Sequence, residues 1–430
     1  MLNGETPEPT DLLTIFALRP WVRCMQPRWA IVFGECEGRP DSPLRGRVLE
    51  RPRESLGVMM RVTSVCFMHD EVLDLFAGIN GERFGGAETQ VYLLSRALAA
   101  DPAFDVHLVT HRDVQGTEYS GISFHRILPM IQNGIPLLSR AVNRVQLQRS
   151  FRRVPRGVLV QTIAGGHTIQ AWQFARRLGH KFVYRMSCDA DIDGSLIPEG
   201  MRQEYLSVLE RADGIIAQTA KQRGLLRSHL GVDSVVVPNV VEVPQGNPKP
   251  GGDHVLWVGR CAPVKRPWLF VDLARRLPHY QFLMVMPQED PIFWMSVMAE
   301  VERVPNLAVV PGIAYAEMPH VFREAAVLVN TSWTEGLPNV MLQAAAQGTP
   351  VASLSVDPGQ VLEPGCGWYA DSDMDDLASA LTEAMTCPSV LEEKALRSHA
   401  YVDRVHSARH VVPKLAEFLI RIRRGGMDTR

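Results

Sequence analysis

Cysteine is sparse in this 430-residue chain and poorly placed for cross-linking. The seven residues (Cys24, Cys36, Cys66, Cys188, Cys261, Cys366 and Cys387) are odd in number, scattered, and never arranged as C-x-x-C. That argues against a disulfide framework or a zinc site and makes a reducing cytoplasm the natural compartment. An excess of one charge is missing too: 45 basic residues face 47 acidic ones, for a formal net charge of −2. No field therefore draws the whole molecule to nucleic acid or to an anionic membrane, and no nucleic-acid partner is expected. No stretch approaches the run of about 18 uncharged apolar residues that a transmembrane helix needs, and the N-terminus lacks the residue order of a secretory signal. The expectation is a cytoplasmic protein, soluble or peripheral to the membrane. Solenoid-length repeats are absent, as is a G-x-G-x-x-G with an acidic residue about 20 positions on, so a nicotinamide-binding fold is poorly supported.

What the chain does have is apolar content, 46% hydrophobic residues over 430 positions, enough for two cores and too much for one. Residues 1–58 show no period, and "RPDSPLRGRVLERPRES" is rich in Arg and Pro. Because the first regular strand starts just after Met59 and Met60, a natural start near Met60 is expected, with 1–58 a disordered or non-native extension. A transit peptide is disfavoured, since Asp and Glu recur there.

From residue 61 onward, apolar strand-like runs alternate with helix-period segments, the pattern of parallel sheets covered on both faces by helices. The first half carries "RVTSVCF", "DVHLVTH", "GVLVQT", "KFVYRMS" and "GIIAQT". The second carries "HVLWVG", "YQFLMVM", "LAVVPG", "AAVLVNTS" and "TPVASLS". Between them, "PNVVEVPQGNPKPGGD" (238–253) interrupts the alternation with four prolines and three glycines, as a linker would. The expected division is an N-terminal domain over 59–240, a linker at 241–253, a C-terminal domain over 254–404 and a closing helix at 405–430 that packs back on the first domain.

Three glycine-bearing loops after strands are candidates for phosphate binding, because ligands collect at the carboxyl ends of parallel strands and helix N-termini offer free N–H groups. In "GERFGGAETQVYLLSRALAA", Gly85 and Gly86 allow close backbone approach before a helix buried along Ala87, Val91, Leu94 and Leu98. A plain tight turn would look the same. In "VLWVGRCAPVKRPWLFVDLARRLP", a strand ends at Gly259 and the cations Arg260 and Lys265 precede an amphipathic helix. Together they could hold a diphosphate and neutralise a leaving group, or they could be solvated surface charges. In "TEGLPNVMLQAAAQGTPV", a helix expected from Pro338 to Gln347 ends at Gly348 before Pro350. Asn339, Gln343 and Gln347 make one polar stripe that faces a cleft or solvent. Glu335 precedes the helix by one loop; the eight positions from it to Gln343 correspond to roughly 12 Å of helical rise, suited to a nucleotide sugar.

These pieces, with "RADGIIAQTAKQRGLLRSHLGVDSVVVPNVV" and "VPNLAVVPGIAYAEMPHVFREAAVLVNTSW", occur in an order that resembles the retaining glycosyltransferases of the family-four type (glycosyl transferases group 1) over about residues 60–424. The resemblance implies an α/β GT-B fold, two Rossmann-like doubly wound parallel-sheet domains facing a central cleft, with the acceptor on the first and the nucleotide-sugar donor on the second. It implies Arg260 and Lys265 on the diphosphate and Glu335 on the sugar hydroxyls. Gly336 and Leu337 would present N–H groups, and Gly85 and Gly86 would form the loop at the reaction centre beside the donor contacts of Gly259. Gln343 stands where the family has a second acid on the ribose. A front-face displacement with retention, no metal, and a carbohydrate or lipid-linked acceptor in surface-polysaccharide assembly follow from the same resemblance.

Two departures accompany it. Where many relatives have a sugar-contacting histidine, this chain reads Ser187, Cys188, Asp189, and His167 in "IAGGHT" is a weak substitute. The same stretch offers Asp189, Asp191 and Asp193, which could suggest a metal clamp but are better read as an acidic loop or a solvated turn. Residues 139–157 carry Arg140, Arg144, Arg149, Arg152, Arg153 and Arg156 among apolar positions, compatible with an anionic membrane surface or with a solvated helix face. Rival readings are an epimerase of the same fold and a paralogue that binds nucleotide sugar without turnover.

Overall fold

The computed structural model describes residues 62–69, 72–77, 85–110, 118–119, 121–126, 152–246, 248, 251–357 and 364–425, with 145 and 149. The expected extension 1–58 and most of the arginine-rich segment 139–151 lie outside the described residues. Residues from Arg61 on form one compact unit.

Two sheets build that unit. The first contains β1 (Thr63–Met68), β2 (Phe104–Thr110), β3 (Glu118–Tyr119), β4 (Ile122–Arg126), β5 (Val158–Gln161), β6 (Lys181–Arg185), β7 (Gly214–Ala217) and β8 (Val235–Val236). Their order across the sheet is β3-β4-β2-β1-β5-β6-β7-β8. All neighbours run parallel except β3 against β4. The second contains β9 (His254–Val258), β10 (Gln281–Val285), β11 (Leu307–Val310), β12 (Ala325–Asn330), β13 (Val351–Ser353) and β14 (Gly367–Tyr369), ordered β11-β10-β9-β12-β13-β14 and parallel throughout. The ten apolar runs become ten of these strands, and the α/β class holds.

The central strands are apolar along their length because both faces are covered. In β1, Val65 and Phe67 enter a core with the helix Gly86–Ala99, while Cys66 and Met68 enter a second core with the helices Gly166–Leu178 and Glu199–Glu210. The last helix, Ala408–Arg423, belongs to the first sheet: Val411, Leu415, Phe418, Leu419 and Ile422 fill the same core as Val65 and Phe67. Gly214 makes room for it, since a Cβ there would lie 2.6 Å from Phe418 and 2.8 Å from Ile422.

The chain thus passes between the sheets twice, and the two passages touch. Val241 N–H donates to the carbonyl of His406 at 2.9 Å, and the buried His406 ring donates from Nδ1 to the carbonyl of Asn239 at 2.8 Å. Burial holds the His406 imidazole down at about 4, so the ring is neutral at ordinary pH. This paired crossing sets the two sheets' carboxyl ends against each other.

Of the described arginines in the basic segment, Arg149 is helical and Arg152, Arg153 and Arg156 lie in turns and bends; all four are exposed.

Candidate active site

The second sheet's share of the site is a turn and a loop zipped together across about 70 residues. A short 3-10 turn, Pro263–Lys265, is followed by Arg266 at φ 49°, a left-handed conformation that strains a side-chain-bearing residue. Its guanidinium compensates by donating to the carbonyls of Thr331 (2.6 Å) and Ser332 (3.0 Å). Thr331 Oγ1 donates back to the carbonyl of Lys265 at 2.7 Å and accepts from Trp257 Nε1 at 2.9 Å; Trp333 N–H donates to the carbonyl of Val264 at 2.8 Å. The zipper brings Lys265 Nζ onto Glu335 Oε1. Ser332 Oγ also donates to that oxygen, at 2.7 Å. Lys265 and Glu335 are 20% and 16% exposed, shielded enough for their charges to matter and open enough to meet a ligand.

Glu335 leads into the helix Asn339–Ala346, whose first two N–H groups, on Asn339 and Val340, have no acceptor within the helix. The expected first helical residue, Pro338, is instead the N-cap: its ψ of 116° is extended, and its carbonyl accepts from Met341 and Leu342. Gly348 ends the helix at φ 80°, as expected of a left-handed C-terminal glycine. On the polar stripe, Gln347 is buried and Gln343 is half-buried. Gln343 is hydrogen-bonded to the Tyr315 hydroxyl, whose ring packs edge-on against Tyr92 of the first sheet's helix, centroids 5.9 Å apart. The Gln343 face therefore looks into the junction between the sheets.

The first sheet presents two loops. Gly85 caps the helix Gly86–Ala99, and Asn339 Nδ2 crosses to the carbonyl of Gly86 at 2.8 Å. A Cβ on Gly85 would lie 2.4 Å from Glu88 Oε2; Glu88 in turn lies 3.7 Å from Nε2 of buried His69, which follows β1. This His69–Glu88 pair was missed in the sequence, where an acid three positions after Gly85 was the available signal. The second loop, Ser187–Asp189, packs on Gly336: a Cβ there would stand 3.0 Å from the carbonyl oxygen of Ser187 and 3.1 Å from Cys188 Cα.

No imidazole replaces the family's histidine in that loop. Asp191 organises it, accepting from Ser187 N–H and Oγ at 2.7 Å each and from Cys188 N–H at 3.1 Å. The Cys188 thiol donates to Asp191 Oδ1 at 3.2 Å, and burial, with the nearby carboxylate, pushes it up to about 12. Asp189 is held by Lys221 (2.8 Å) and Gln222 (3.1 Å), and Asp193 accepts from Ser195 N–H at 2.8 Å. The three aspartates are thus committed to separate donors. Among the described residues no group of three or more His, Cys, Asp or Glu side chains could hold a metal ion.

Of the residues singled out in the sequence, Lys265, Glu335, Gly336 and Leu337 come together, facing Gly85 and Gly86 through Asn339. Gly259 closes β9, its N–H donating to the carbonyl of Val285 at 3.1 Å. Arg260 is 54% exposed and pairs with Glu289 at 2.9 Å rather than joining Lys265. His167 is half-buried at the start of its helix.

Solved structures share this architecture. Sucrose-phosphate synthase from Thermosynechococcus elongatus superposes with a TM-score of 0.69 at 16% identity, covering 85% of this chain and 100% of that one. Anabaena HepE, solved with UDP and glucose, gives 0.67 at 13% identity over 83% and 99%. Two mostly parallel α/β sheets joined by a double crossing make this the GT-B fold. Residues 84–244 match the model of glycosyltransferase family 4 and residues 252–387 that of glycosyl transferases group 1. The chain belongs to this family. Curated relatives include D-inositol 3-phosphate glycosyltransferases from Pseudarthrobacter chlorophenolicus, 26% identical over 63% of this chain and 70% of that protein, and from Kineococcus radiotolerans, 28% identical over 46% and 54%. Among the described residues no helix is long and apolar enough to cross a membrane.

Proposed function

We propose that the chain transfers a hexosyl group from a nucleotide diphosphate sugar to a carbohydrate or lipid-linked acceptor, with retention of anomeric configuration, in the assembly of a surface polysaccharide or other glycan. The observation that carries this reading is the Lys265–Glu335 pair, fixed beside a helix N-terminus and opposite the Gly85–Gly86 loop. In it, Lys265 and Arg260 take the diphosphate together with the N–H groups of Gly336 and Leu337. Glu335 accepts from sugar hydroxyls, Gln343 contacts the ribose, and the glycines 85, 86 and 259 permit close approach. Transfer breaks the bond from the anomeric carbon to the phosphate oxygen and forms one to the acceptor oxygen on the same face. The acceptor's proton passes to the departing phosphate, whose charge the two cations meet without calling on a metal. Cys188, held protonated, is a poor candidate for a covalent intermediate.

The test is thermal stabilisation by UDP-, GDP- and ADP-sugars, since a ligand that binds only the folded state raises its stability. It is followed by NMR of the product's anomeric coupling: an α-linked donor giving a β-linked product would overturn retention. Acceptor-independent appearance of an epimerised donor would favour an epimerase. A cytoplasmic enzyme touching the membrane through residues 139–157 belongs to the same reading; liposomes with anionic lipid that fail to float the protein would remove that contact.

A further inference from the structure

Arg185, the last residue of β6, is 2% exposed and has no carboxylate partner among the described residues. Burial pulls its guanidinium down to about 10, so it is still a cation at neutral pH. A buried charge without a counter-ion costs stability except as hydrogen bonds replace its hydration. Its acceptors are two amide oxygens, Asn239 Oδ1 at 2.5 Å and Gln90 Oε1 at 3.5 Å.

An arginine has donors only, whereas an amide can turn either way. With Oδ1 of Asn239 held by Arg185, its Nδ2 must face the other way, and it donates to the carbonyl of Leu337 at 3.0 Å and to Asn339 Oδ1 at 2.9 Å. Gln90 is turned by the backbone of Val240, whose N–H donates to its Oε1 and whose carbonyl accepts from its Nε2, both at 2.8 Å; Nε2 also donates to Asn339 Oδ1 at 3.0 Å. With two donors on its oxygen, Asn339 has Nδ2 left for the carbonyl of Gly86, at 2.8 Å. One cation in the first sheet thereby fixes the direction of Asn239, and Asn239 with Gln90 fixes that of Asn339, which ties the Gly86 loop to the Leu337 loop. Turning Asn239 over would set its oxygen against both the Leu337 carbonyl and Asn339 Oδ1.

We propose that Arg185 is a positioning residue for sugar transfer, holding the glycine loop of one domain and the donor loop of the other in register through Asn239, Gln90 and Asn339. The proposal rests on the donor-site reading above for what those loops do. Arg185 touches no reacting atom.

The test compares Arg185→Met and Arg185→Lys with Leu209→Ala, a core truncation in the helix Glu199–Glu210, all as the full chain. Hydrogen–deuterium exchange of the free protein is expected to rise at least tenfold around Gly86–Gln90 and Leu337–Asn339 in Arg185→Met. The rise should be smaller in Arg185→Lys, with the second sheet unchanged. Leu209→Ala should raise exchange in its own core and spare both loops. In the same preparations Arg185→Met should bind whichever of UDP, GDP or ADP stabilises the unmodified protein within threefold of it, yet lose at least thirtyfold in kcat, with partial recovery in Arg185→Lys. Unchanged exchange in the two loops, or a uniform rise across the molecule, overturns the proposal. So does an Arg185→Met protein with unaltered kcat per folded molecule. If the unmodified protein turns over no nucleotide sugar, the transferase reading fails and the role in transfer with it, while the exchange data still decide whether Arg185 couples the loops.

Discussion

Glu335→Gln should change nucleotide binding and turnover in opposite directions. In the free protein Glu335 accepts from Lys265 and Ser332, so the cation proposed for the diphosphate is engaged by the carboxylate proposed for the sugar. A diphosphate must compete for Lys265. Fully exposed ion pairs contribute up to about 1 kcal/mol, and breaking a fully buried one costs about 3–5 kcal/mol. With partners 20% and 16% exposed and an effective dielectric well above that of a dry interior, about 1 kcal/mol of competition is reasonable. The amide keeps the shape and an acceptor for Ser332 but drops the charge. The nucleoside diphosphate of the donor that stabilises the protein, which has no sugar for residue 335 to hold, should then bind about fivefold more tightly, since about 1.4 kcal/mol is tenfold. Transfer should fall by about a hundredfold or more, because a charge-assisted bond to the sugar hydroxyls is lost where the reaction develops charge. Calorimetric titration with that diphosphate and initial transfer rates on the same preparation give both numbers. If Glu335→Gln weakens its binding, the picture of a carboxylate restraining the phosphate-binding lysine is wrong.

Gly214→Ala should lower stability by about 1–3 kcal/mol, because its Cβ would sit 2.6 Å from Phe418 and 2.8 Å from Ile422; an unchanged urea midpoint would mean that the last helix does not pack tightly there. Acid should weaken the paired crossing at His406. His406 is held near 4 against an ordinary value of 6.5, so between those values the unfolded chain binds the proton and the folded one does not. Its contribution is complete above pH 6.5 and declines toward pH 4 by at most about 3 kcal/mol. Urea midpoints at pH 7 and pH 5 should draw closer in His406→Gln, though not coincide, since burial also lowers His125, His180 and His254. Gln343→Glu should alter the donor KM by less than about tenfold, the scale of one hydrogen bond of about 1 kcal/mol; a gain of several orders of magnitude in kcat/KM would mark the native glutamine as a degraded site.

The sequence by itself determined the fold class, because strands buried on both faces must be apolar throughout, and ten such runs appear between 61 and 355. It missed β3, β4, β8 and β14, which lie at or next to the sheet edges, where a strand is short or one face is open and no continuous run is required. It also isolated Lys265, Glu335, Gly336 and the two glycines, since a loop after a buried strand at the head of a helix is a local pattern. The tertiary structure alone decided which of these meet. Lys265 reaches Glu335 because Arg266 and Thr331 stitch two distant loops, whereas Arg260 turns to Glu289. The return of the closing helix to the first domain was expected, but which side chains fill the core and the room that Gly214 leaves for Phe418 and Ile422 come from the fold alone. Arg185 reads along the chain as a polar end to an apolar strand. Its partners Gln90 and Asn239 lie 95 and 54 residues away, and only folding brings these amides within its reach.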